Sequence, residues 1–183
     1  TLQYSAWRFP SLTSILLEMC YLGNLYGGHY YAANDFSKEF EVDSLSGAAL
    51  FFRTDLLKRT GGLNEYLFWI EDVDFCYRVK KSGGKVVYFP FAKVIHHIGQ
   101  SAKKNYNISI YNQVVNKIKF YKVHHPGFSV ALLQFFSIIN VVIRLMVFAL
   151  LSLISSVCFL KAKAYFYTFP RLFKIPPPPN EYT

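Results

Sequence analysis

Glu71-Asp72-Val73-Asp74 sets three carboxylates within four residues, directly after the aromatic pair Phe68-Trp69. Acids held this close repel one another, which raises the pKa of at least one and suits it to proton transfer or to holding a divalent ion. The same residues also suit a plain helix start, where negative charge complements the helix dipole. Both readings stand on the sequence, and the D-x-D form of Asp72-Val73-Asp74 adds a weak metal signal. A second group is His96-His97, followed by Gly99 and Ser101. At the end of a strand one imidazole can ligate a divalent ion in a cleft, and only one, because adjacent strand residues face opposite sides. A polar strand end facing water is the plain alternative. His124-His125, before Pro126, reads as a loop pair without a role.

The elements that must position these residues are short. Pro10-Ser11 opens a helix running to about Leu22 and closed by Gly23. A Gly- and aromatic-rich loop follows over 23–45, and Ala48 to Phe52 reads as a buried apolar strand. Thr54 caps a short helix that Gly61-Gly62 ends. The helix from Glu71 carries acids in its first turn and Arg78, Lys80 and Lys81 in its last, and Gly83 stops it. Lys85–Phe89 and Lys93–His97 read as strands, and 106–122 as a helix.

Charge divides the chain unevenly. Of the 183 residues, 1–100 hold ten Lys/Arg against ten Asp/Glu, whereas 101–183 hold ten Lys/Arg against Glu181 alone, which accounts for the net +9. The basic half also holds the longest apolar run: from Phe128 to Leu160 the only charge is Arg144. Basic residues flanking apolar sequence fit an anionic membrane surface better than nucleic acid, whose partners carry polar basic tails. Gln134, Ser137, Asn140 and Arg144 share one helical face, the amphipathic pattern of an interfacial helix. The uncharged stretch 145–160 makes about 24 Å of helix, short of a hydrocarbon core of about 30 Å, although a tilted span stays open. Pro176 to Pro179 then form a stiff extended end. Cys20, Cys76 and Cys158 are too few and too scattered for a disulfide framework or a structural zinc, so a reducing cytoplasmic setting is expected. Hydrophobic residues make up 52% of the chain, which excludes a disordered one. The chain opens on Thr1 without a basic-then-apolar leader, so it is expected to begin inside a longer protein.

The ordered set Ser46-Gly47-Ala48-Ala49-Leu50, Arg53, Gly61-Gly62-Leu63-Asn64-Glu65, Glu71-Asp72-Val73-Asp74-Phe75-Cys76 and Arg78 resembles glycosyltransferase family 2. Lys81-Ser82-Gly83, Val87-Tyr88, Pro90, Ala92 and Val94 to Ser101 continue the resemblance, which spans about 42–101 and is closest to rhamnosyltransferase-like members. It implies an α/β fold: the carboxy-terminal, acceptor-side part of a GT-A nucleotide-sugar transferase over 1–127, followed by an apolar helical membrane-associated tail over 128–183. It implies an inverting enzyme in cell-surface polysaccharide synthesis. That enzyme would move a sugar from a nucleotide-diphosphate donor to a glycan or lipid-linked acceptor at the cytoplasmic face of the cell membrane, held there peripherally or by one transmembrane segment. Asp72, in the pair with Glu71, would be the base. Gly47, Trp69 and Asp74 would bind substrate, with Gly47 close to the sugar and Trp69 walling the acceptor. His96 of the H-x-x-G-x-S pattern would contact the metal or diphosphate. The Mn or Mg ion itself would rest mainly on a D-x-D motif in a preceding nucleotide-binding half, and this stretch alone is expected to be inactive. The alternative is a non-catalytic membrane-associated remnant or scaffold.

Overall fold

A computed structural model describes residues 3–23, 31, 35–97 and 105–179. The chain divides into two compact units, 1–96 and 97–183. The boundary expected at 127/128 thus falls inside the second unit, whose first helix packs with those that follow it.

In the first unit, Ser11 caps helix α1 (Leu12–Met19) by a reciprocal capping box with Ser14, which satisfies donors at the helix start. Strand β1 (Ala6–Trp7) pairs antiparallel with β3 (Ser44–Leu45), and β2 (Phe40–Glu41) with β4 (Val87–Tyr88). Among the described residues these two-stranded ribbons are the only sheets. They are short, and their stability comes from what packs on them. That packing is a core of Ala6, Val42, Phe75, Cys76, Val79 and Val86, ringed by partly buried aromatics that include Phe36, Phe40, Phe52 and Tyr88. Three of the six core residues lie on one face of helix α3 (Glu71–Lys81), at positions 75, 76 and 79, so burial of this face orients α3 and everything at its start. Lys80 ties α3 to the segment between β2 and β3, donating to the Val42 carbonyl and the Asp43 carboxylate.

Two expectations fail here. Ala48 to Phe52 is not a buried strand: Gly47–Ala49 is a 3-10 turn capped by the Ser46 hydroxyl, and Phe51 is 98% exposed. Lys93–His97 is not a strand either. It runs exposed and outside both ribbons, and its order, one lysine, two apolar residues and two histidines, lacks the alternation of a half-buried strand. Helix α2 (Thr54–Thr60) begins as expected, although Thr54 is its first residue and Arg53 takes the cap position without a side-chain bond. Gly61 ends it at φ 72°, a left-handed conformation that suits glycine.

The second unit is helical. α4 (Tyr106–His124), α5 (Phe128–Leu151) and α6 (Ser156–Thr168) are followed by a 3-10 segment, Phe169–Lys174. Asn105 caps α4 through its side chain. α5 and α6 run antiparallel as a hairpin: Phe148 stacks on Tyr165 at 5.7 Å, and farther from the turn Gln134 donates to the Leu172 carbonyl at 2.7 Å. α4 supplies the buried residues Ile110, Val115, Ile118 and Phe120. Lys122 donates to the Ile175 carbonyl and so holds the returning chain against α4.

Candidate active site around Asp72

The sequence singles out the start of α3, and two local structures bring its residues into position. One is the end of β3. Its pairing with β1 is continued by a bond from the Ser46 amide to the Ser5 carbonyl, 2.8 Å, after which the chain turns at Gly47. The Gly47 N–H points at α3 and donates to Asp72 Oδ2 at 2.7 Å. The other is the tight turn Leu67–Ile70. Phe68 sits at φ −44°, ψ 128° and Trp69 at φ 95°, and the Ile70 amide closes the turn onto the Leu67 carbonyl. This is the type II pattern, whose third position normally takes glycine. An indole there is a strained backbone position, and strain of this kind collects at functional sites. The Glu71 carboxylate accepts the Trp69 N–H, which secures the strained residue to the first turn of α3.

Asp72 is half-buried. Its Oδ1 accepts the Val73 amide at 2.8 Å, while Oδ2 takes Gly47. Its pKa lies above the ordinary carboxylate value. Loss of solvent is the main cause, the amides of Gly47 and Val73 oppose it, and the Glu71 charge adds a smaller upward push. Mutual repulsion among three acids, the cause expected from the sequence, is therefore the minor one. The geometry explains why: the three carboxylates point to different partners. Asp74 is 0% exposed and receives Arg78 Nε and Nη2 at 2.9 and 2.7 Å. Arg78 also donates to the carbonyls of Thr60 and Gly62, so the pair fastens the end of α2 to α3. Asp74 is thus buried and held by Arg78, whereas Asp72 is held by the amides of Gly47 and Val73. The sequence alone assigns Arg78 no partner, although its i, i+4 spacing from Asp74 carries the signal.

Gly47 has a steric as well as a hydrogen-bonding part. A Cβ placed on it would lie 3.5 Å from both Asp72 Cβ and Oδ2, ordinary contact distance, so anything beyond alanine would press on the carboxylate. Trp69 is 37% exposed, with Phe68 more open beside it in sequence, which gives a solvent-facing aromatic surface just before Glu71 and Asp72. Cys76, one turn on from Asp72, is buried and its thiol is pushed up to about 11, which makes it inert as a nucleophile.

His96 does not join this group by any bond of the described structure. It is exposed, with Nδ1 3.2 Å from the Gln3 side-chain oxygen, and the Gly99 and Ser101 of its pattern lie outside the described residues. Among the described residues, no cluster of three or more His, Cys, Asp or Glu side chains is placed to hold a metal ion. Proton transfer is a chemistry that Asp72 can do with the partners it has. An acceptor of two amide hydrogen bonds with a raised pKa, beside an exposed aromatic face, can take a proton from a hydroxyl group laid against it.

Over 68 residues, 37% of its length, the chain is 38% identical to N-acetylglucosaminyl-diphospho-decaprenol L-rhamnosyltransferase of Mycobacterium tuberculosis, in strains CDC 1551 / Oshkosh and ATCC 25618 / H37Rv. The matched stretch spans 22% of the length of these curated relatives. No family model and no solved structure matches the chain. The similarity supports a glycosyltransferase-like character.

Proposed function

We propose that this chain is the acceptor-side part of an inverting, GT-A-type glycosyltransferase of family 2 character, with Asp72 as its general base. The observation that carries the reading is the half-buried Asp72 carboxylate, oriented by the Gly47 amide and raised in pKa by loss of solvent. In the reaction, an acceptor hydroxyl oxygen attacks the anomeric carbon of a nucleotide-diphosphate sugar. The new carbon–oxygen bond forms as the bond to the diphosphate breaks, its electron pair leaving with the diphosphate, while the hydroxyl proton passes to Asp72. A single in-line displacement inverts the anomeric centre. Trp69 walls the acceptor, Glu71 holds Trp69, and Gly47 aims the base. His96 is assigned to the diphosphate or to a Mn or Mg ion whose main ligands come from elsewhere.

The name of the relatives supports a lipid-linked diphosphate-sugar acceptor and a rhamnosyl donor, and the apolar second unit supports work at the cytoplasmic face of the cell membrane. The second reading, a membrane-associated scaffold, draws on that apolar unit, which makes no use of Asp72. The two separate in one assay: the full-length protein with nucleotide-diphosphate L-rhamnose and an N-acetylglucosaminyl-diphospho-polyprenol, with the product's anomeric configuration read by NMR. Transfer with inversion is expected. Retention of configuration contradicts the mechanism, and absence of transfer with this and other common nucleotide sugars favours the scaffold.

A further inference from the structure

The polar stripe of α5 faces inward. Ser137 is 0% exposed, Gln134 donates to the Leu172 carbonyl, and Arg144 donates to the Tyr165 hydroxyl at 3.2 Å. The apolar residues face out: Ile143, Met146, Val147 and Leu150 on α5 are all exposed, as are Phe159 and Leu160 on α6. This reverses the arrangement of an interfacial helix, whose polar face meets water. It is the arrangement of helices in lipid, where polar side chains turn to the bundle interior and apolar ones to the hydrocarbon. Of the large apolar residues on the hairpin the most exposed are at its turn, Leu153 at 85% and Ile154 at 86%.

Charge sets the depth. From 145 to 160 no residue is charged, and Arg144, Lys161 and Lys163 bound the stretch. The end of α5 at Leu151 is seven positions beyond Arg144, about 10 Å of helix, and Lys161 is five positions beyond Ser156, about 8 Å. One leaflet contributes about 15 Å of hydrocarbon, so the uncharged tip fits within a single leaflet and falls short of crossing both. α5 alone is long and apolar enough to cross, yet α6 comes back along it, so a crossing would carry Arg144, Lys161 and Lys163 into the hydrocarbon. Lys161 lies 5.1 Å from the Phe148 ring centroid across the hairpin, about one helical turn nearer the tip than Arg144. We infer that the α5–α6 hairpin inserts tip-first into one leaflet of an anionic bilayer, with Lys161 and Lys163 at the headgroups and Arg144 turned into the hairpin toward Tyr165. The inference does not rest on the catalytic role of Asp72.

The test uses the full chain, tagged at both ends, with phosphatidylcholine vesicles with and without phosphatidylglycerol. The wild type is expected to sediment with the vesicles and to stay bound in high salt. Leu153→Asp/Ile154→Asp, at positions open to solvent, should lower partitioning at least about tenfold with an unchanged circular dichroism spectrum. Lys163→Glu should weaken binding only where phosphatidylglycerol is present. Protease added outside the vesicles should remove both tags. Wild-type binding by the tip variant, protection of the carboxy-terminal tag, or a soluble dimer that the tip variant disperses would each overturn the proposal, the last by showing that a second copy covers the face.

Discussion

At the scale of single residues, Glu71, Asp72 and Asp74 differ in what they touch. Asp74 is closed off from water and paired with a largely buried Arg78, and removing Arg78 leaves an uncompensated buried charge, a loss of about 3–5 kcal/mol. Asp72 is different, since it is oriented by amides and has no cationic partner among its bonds. The folded state raises its pKa above the ordinary 3.8, so between these two values the folded chain binds more protons than the unfolded one. Stability is therefore highest below the ordinary value and falls as pH rises through the folded one. Asp72→Asn keeps a carbonyl acceptor for Gly47 and removes the charge. Chemical denaturation at neutral pH is expected to show this variant as stable as the wild type or more so, with the difference vanishing in acid. A variant markedly less stable at neutral pH would mean that the carboxylate is there for the fold. The acidic cluster is visible in the sequence. Its division of labour is not, because burial and the partner at the far end of each carboxylate are tertiary properties.

Among the elements, α3 is legible from its ends: acids, then bases, then Gly83, which sits at φ 82° just past the helix. The segments before it are not. Residues 48–52 read as a strand because an apolar pentapeptide carries no period that separates a strand from an irregular turn. The turn at Trp69 is invisible for the opposite reason, since its backbone contradicts the residue that fills it. That conflict is itself measurable. Trp69→Gly removes the positive-φ penalty, so it should be more stable than Trp69→Ala by about 1 kcal/mol in urea denaturation, while both weaken acceptor binding. Equal stabilities would show that the turn relaxes and stores nothing.

For the whole molecule, the uneven charge and the long apolar run point to a membrane by composition alone. The periodicity of Gln134, Ser137, Asn140 and Arg144 reveals a stripe, yet a stripe alone does not say which side holds the solvent. Packing against α6 and the segment after it decides that, turning the polar side in and the apolar side out. On the proposed reading the first unit carries the chemistry and the second the attachment, each argued from its own residues. The role of Asp72 as base is open to one direct measurement: turnover and donor binding of Asp72→Asn in the full-length protein, beside the wild type across pH. Loss of a positioned general base predicts that turnover falls by about 100-fold or more while donor binding persists and the acidic limb of the wild-type pH profile disappears. Near-normal turnover with the acidic limb intact would contradict the account and remove Asp72 from the reaction.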